Sequence, residues 1–81
     1  MGSGLSKRYV IQIENKKLTA KELRALKTYA DVLQVAGYNV DGSATIRKMD
    51  KYSTYMNANE PFQFGGTLIY EGKAIYICKL Y

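Results

Sequence analysis

The sequence predicts an α+β domain in which one amphipathic helix packs on one face of an antiparallel sheet, in the order β-α-β-β-β with room for one extra short strand. Three observations lead there. Leu18 to Gly37 has the start, stripe and stop of a helix. Runs of alternating apolar residues lie on either side of it, and Glu71-Gly72 marks a tight turn between two stretches rich in β-branched and aromatic residues.

Taken in order, Met1-Gly2-Ser3-Gly4 is either the remnant of an expression tag or, with Ser6 and the basic Lys7-Arg8, a myristoylation signal on Gly2. Residues 1–6 are expected to be flexible and residues 7–81 to form the single domain. In Arg8 to Glu14, Tyr9, Ile11 and Ile13 alternate with Val10, Gln12 and Glu14, the period of a strand with one richer face. Asn15-Lys16-Lys17 then turns the chain into the helix. Thr19 and Glu22 have the spacing of a capping box, and Leu18 and Leu23 can close over it as a hydrophobic staple. At about 100° per residue, Leu23, Leu26, Ala30 and Leu33 share a stripe, flanked by Ala25, Tyr29 and Ala36, with Lys21, Arg24, Lys27, Thr28 and Asp31 opposite. Gly37 supplies a left-handed C-cap.

Asp41-Gly42 fits a hairpin turn between Tyr38-Asn39-Val40 and Ser43 to Met49. In the second arm Ala44, Ile46 and Lys48 alternate with Thr45, Arg47 and Met49. From Lys48 to Gly66 neither period is clear; so long an irregular connection in a small domain implies a binding loop or a missed strand, with Tyr52 to Met56 the best candidate. In the last hairpin Ile69, Ala74, Tyr76, Cys78 and Leu80 share one face and Leu68, Tyr70, Ile75, Ile77 and Tyr81 the other. Neither face is polar. One helix covers one side only, and at about 25 cal/mol per Å² of apolar surface a bare second side forfeits a few kcal/mol. The long loop, a partner protein or a second copy of the chain, forming a homodimer through the outer sheet face, is therefore expected to cover it.

Composition narrows the function. With 81 residues and no histidine, neither a Ser-His nor a Cys-His nucleophile can be assembled, and the seven carboxylates are scattered singly, so no enzyme is expected. The lone cysteine, Cys78, excludes an intramolecular disulfide and, without histidine, a Cys/His metal set; it reads as a buried, inert thiol. Gly65-Gly66 lacks the residues of a phosphate cradle. No cofactor or metal is expected. No apolar run approaches the roughly 20 residues of a membrane span, and no secretory signal is read, which points to the cytoplasm.

A net charge of +5 favours acidic partners. Two clusters of cations are candidates. Lys16, Lys17, Lys21, Arg24 and Lys27 suit nucleic-acid phosphates or an acidic surface, with an ordinary solvated helix face as the alternative. Arg47, Lys48, Lys51, Tyr52 and Tyr55 interleave cations with aromatics, as a protein hot spot or a base-stacking platform does, with tyrosines that merely cap the core as the alternative. The outer sheet face is a third candidate surface, with Phe62 and Phe64 as its covers or anchors.

The order of elements, carried by Tyr9-Val10-Ile11, by Leu18-Thr19-Ala20-Lys21-Glu22-Leu23 and by Leu68-Ile69-Tyr70-Glu71-Gly72-Lys73, resembles that of small phage-encoded anti-CRISPR proteins. The resemblance implies a non-enzymatic inhibitor that binds a host nuclease or ribonucleoprotein complex. A small basic nucleic-acid-binding protein, contacting DNA or RNA backbone, is the second reading.

Overall fold

A computed structural model of the chain describes residues 8–80. The N-terminal segment read as a tag remnant or lipidation signal and the terminal Tyr81 lie outside the described residues. The fold is α+β with antiparallel strands, but the described residues hold two sheets and two short helices where the sequence predicts one of each. The strands are β1 (Tyr9–Ile13), β2 (Lys16–Thr19), β3 (Thr45–Met49), β4 (Ser53–Asn57), β5 (Thr67–Tyr70), β6 (Lys73–Ile75) and β7 (Ile77–Lys79). The helices α1 (Ala20–Ala25) and α2 (Tyr29–Val35) follow β2. One sheet has the order β2-β1-β7 and the other β4-β3-β5-β6.

The first correction lies at Asn15-Lys16-Lys17. Instead of leading into the helix, the chain turns at Glu14-Asn15 and returns as β2, with Ile13 opposite Lys16 and Ile11 opposite Leu18. Glu14 takes a left-handed φ of 53°. Its N–H donates to the carbonyl of Tyr76 at 2.9 Å, and its carboxylate Oε2 accepts from the Tyr76 N–H at 3.1 Å, which holds the turn in place.

The second correction is the helix. The Thr19–Glu22 capping box forms as expected, but α1 ends at Ala25 and Leu26 is extended, with φ −83° and ψ 112°. A second capping box then starts α2. The Thr28 hydroxyl accepts from the Asp31 N–H, and the Asp31 Oδ2 accepts from the N–H of Thr28 at 3.0 Å and of Lys27 at 2.9 Å. These bonds hold the Asp31 carboxyl below its ordinary pKa, with the Lys27 and Thr28 backbone groups the main cause. The interruption also frees backbone for tertiary pairing. Tyr29 and Ala30 donate to the carbonyls of Glu60 and Ala58, and Phe62 donates to that of Lys27. The irregular segment after β4 is thus stitched to the break. Gly37, with φ 103°, closes α2 as expected, and the Tyr38 N–H returns to the Leu33 carbonyl at 2.9 Å in a Schellman arrangement.

The third correction concerns the middle of the chain. Tyr38-Asn39-Val40 is not a hairpin arm; Asp41-Gly42 leads into β3, whose partner is β4, within one residue of the missed strand suspected at Tyr52 to Met56. Asp41 instead organises its own turn, its carboxyl held below the ordinary range chiefly by the Ser43 hydroxyl and N–H.

Both sheets contribute to one hydrophobic core. Ile11 and Ile13 come from β1, Tyr29, Ala30, Val32 and Leu33 from α2, and Ile46, Leu68 and Ile75 from the larger sheet. In the last hairpin the predicted faces hold from Leu68 to Ile75, although the second arm, expected to reach Cys78, ends at Ile75. Leu68 pairs with Ile75 in the interior and Ile69 with Ala74 outside. At Tyr76 the chain leaves the larger sheet and joins the smaller as β7, so Ile75 and Ile77 both serve the same core. No helix among the described residues is long and apolar enough to cross a membrane.

Candidate interaction surface

Adjacent residues of a strand point to opposite sides of a sheet. On β3 this sends Ile46 and Lys48 inward and Arg47 outward. Across the outer face the register aligns Tyr55, Arg47, Ile69 and Ala74 in one row spanning all four strands. The Arg47 guanidinium sits 5.6 Å from the centre of the Tyr55 ring, and its Nε donates to the Ser53 hydroxyl at 2.7 Å. Beside them lies an open cleft of about 210 Å³ lined by residues that include Thr45, Arg47, Tyr55, Ile69, Glu71 and Gly72. Tyr55 is 68% exposed although cation and strand fix its position. Tyr52 is 76% exposed at the β3–β4 turn, where the Asp50 carboxylate accepts its N–H at 2.9 Å, and Lys51 beside it is also exposed.

Lys48 does not belong to this surface. Its ammonium donates to the Tyr29 hydroxyl at 3.0 Å and to the Gln63 carbonyl at 3.2 Å on the opposite side of the sheet. There it borders a second recess of about 340 Å³, lined by Tyr29, Lys48, Met56, Glu60, Pro61 and Gln63. Phe62 and Phe64 also lie away from the outer face they were expected to cover. Phe62 meets Tyr29 edge-on at 5.3 Å, and the Lys79 ammonium lies 5.2 Å from the Phe64 ring centre.

The predicted phosphate-tracking set is dispersed. Lys16, Lys17, Lys21, Arg24 and Lys27 are all exposed, but Lys16 and Lys17 are neighbours on β2 and so face opposite ways, and only Lys21 and Arg24 remain helical. Lys27 falls in the break, its backbone engaged by Asp31 and Phe62. Cys78 is exposed, not buried, because β7 is an edge strand whose inward positions are taken by Ile77 and Lys79, opposite Ile13 and Ile11.

Sequence reasoning did not select Ile69, Ser53 and Glu71 as neighbours of Arg47 and Tyr55. The alternation within β3 was visible, but the pairing that joins β3 to β4 and β5 was not. No family model, no curated protein and no solved structure matches the chain.

Proposed function

We propose that the chain is a non-enzymatic binding protein that docks on a protein or ribonucleoprotein partner through the outer face of the larger sheet. Arg47, Tyr52 and Tyr55 are its anchors, with Lys51 at the rim. One observation carries the reading: Tyr55, 68% exposed, stacks beside the Arg47 guanidinium next to a cleft on the sheet, and Tyr52, 76% exposed, stands at the adjoining β3–β4 turn. Tyrosine and arginine are the residues that most often concentrate binding energy, and a side chain held in place before docking loses less entropy on binding. The narrower form, a phage-derived inhibitor of a host nuclease complex, draws on the resemblance in element order alone. The two-sheet topology departs from that order, so the proposal stands on the surface.

Capture of partners from host lysate, with and without added nuclease and across a salt series, tests it. The reading predicts capture that survives nuclease and moderate salt and is lost in the Tyr52→Ala/Tyr55→Ala variant. A second reading, single-stranded nucleic acid stacked on the same tyrosines, is favoured by their mixture with Arg47 and Lys51. It predicts nuclease-sensitive binding that weakens steeply with salt, because counterion release dominates phosphate contacts.

A further inference from the structure

The strand β4 differs from every other sheet edge among the described residues. Sheet edges are ordinarily blunted by lysine, proline, bulges or brevity, because an open edge pairs with any extended chain that meets it. The edge strand β2 carries Lys16 and Lys17 and is bulged against β1 between Tyr9 and Ile11. The edges β6 and β7 are three residues each and carry Lys73 and Lys79. By contrast β4 has five residues, Ser-Thr-Tyr-Met-Asn, without charge, proline or glycine, and pairs with β3 without a register shift.

The ladder shows which of its backbone groups are open. At one end the Ala58 N–H donates to the Ala44 carbonyl, and at the other the Asp50 N–H donates to that of Tyr52. With the register unbroken between them, Thr54 and Met56 bond inward to β3, and Ser53, Tyr55 and Asn57 turn their amides away from it. The Asn57 carbonyl accepts from Glu60, whereas no described backbone hydrogen bond engages Ser53 or Tyr55. Successive outward residues thus present the donor–acceptor spacing of a further antiparallel strand.

We infer that β4 is a docking edge that pairs with an extended acidic segment of a protein partner, extending the larger sheet by one strand. This rests on the docking function proposed above and specifies its geometry. Charge selects the occupant. Arg47 lies on the outer side of the β3–β4 pair, Lys48 on the inner side and Lys51 at the turn, against Asp50 and Glu60, within a chain of net charge +5. A second copy would bring two +5 chains together, and nucleic acid has no backbone that completes the ladder. In the complex, alternate side chains of the added strand lie beside Tyr55 and over the recess bordered by Met56 and Lys48.

The probe is a fluorescein-labelled heptapeptide alternating aspartate and valine, compared by anisotropy with a twin of equal charge methylated on alternate backbone nitrogens. The parent peptide should bind the intact chain and the twin at least tenfold more weakly, since it lacks the donors of one ladder edge. Asn57→Pro, which removes an outward N–H without touching the bonds to β3, should weaken the parent peptide similarly. The twin comparison holds even if that variant does not fold. Equal binding of twin and parent, no binding of either, or displacement of the parent by oligothymidylate overturns the inference. So does a dimer in sedimentation that Asn57→Pro abolishes, which would make a second copy the occupant. If the twin equals the parent while Tyr52→Ala/Tyr55→Ala still abolishes partner capture, the edge is wrong and the docking function stands. If the peptides behave as expected but the tyrosine variant captures its partner undiminished, the docking surface assigned above is wrong.

Discussion

The Tyr29 hydroxyl joins three parts of the molecule. It accepts from the Lys48 ammonium and from the Gln63 N–H at 3.3 Å, while its ring is 2% exposed against Phe62. Tyr29→Phe keeps the packing and removes the hub, so urea unfolding should show a loss of about 1–2 kcal/mol, the usual cost of leaving buried polar partners short of a bond. An unchanged midpoint would mean that water replaces the hydroxyl fully. Gly66 is constrained differently. Its φ is +68°, and a Cβ there would lie 2.7 Å from the Met49 carbonyl oxygen, a backbone atom that cannot move aside cheaply. Gly66→Ala is expected to cost about 2 kcal/mol or more and to loosen the end of β3, read as faster amide exchange in β3 and β5.

Helix α2 is only seven residues long, so its ends weigh heavily in whether it forms. Thr28→Ala removes the N-cap acceptor and should cost about 1 kcal/mol, about 4–8 °C in melting temperature for a domain of this size. The Asp31 carboxyl acts with it. Because folding lowers its pKa, its contribution is complete above the unfolded value and is lost as pH falls through the folded one. Stability of the native chain should therefore fall below about pH 4, and Asp31→Asn should flatten that part of the profile in acid melts. At the β5–β6 turn Glu71 holds φ 51° before Gly72 at 79°, a pair of left-handed residues that favours asparagine first. Glu71→Asn should stabilise by about 0.5–1 kcal/mol in thermal melts. What was legible in the sequence follows the range of the forces involved. The Thr19 box, the Gly37 cap, the Glu71-Gly72 turn and the faces of the last hairpin are set by neighbours along the chain, and all were readable. The Thr28-Tyr29-Ala30-Asp31 box was readable too, but the apolar stripe runs straight through it, and periodicity alone conceals a helix that stops and restarts. The split into two sheets turns on Tyr76 clasping Glu14, residues distant in sequence, and no local pattern announces such a contact. Half of the candidate site was legible for the same reason: alternation places Arg47 outward, yet that same rule removes Lys48 from its side, and only the pairing of β3 with β4 brings Tyr55 to Arg47.

At the scale of the whole molecule, one small core is shared by two sheets, and the outer face of the larger sheet is neither bare hydrocarbon nor fully polar. Ile69 is half-buried between its strand neighbours, and the exposed Tyr55 stands beside Arg47 in the same row, a composition closer to an interface than to a core left uncovered. The net charge of +5 is carried elsewhere as well, on β2, α1 and the helix break, where the cations form no continuous stripe. The two sets of residues lie on different parts of the surface, and substituting each separately distinguishes them. The deciding measurement is the amount of partner retained from host lysate at moderate salt by two variants of verified fold. One has Arg47, Tyr52 and Tyr55 changed to alanine; the other has Lys16, Lys17, Lys21, Arg24 and Lys27 changed to glutamate. Docking through the sheet face predicts that the first loses its partner and the second keeps most of it; retention by the first with loss by the second would contradict the account.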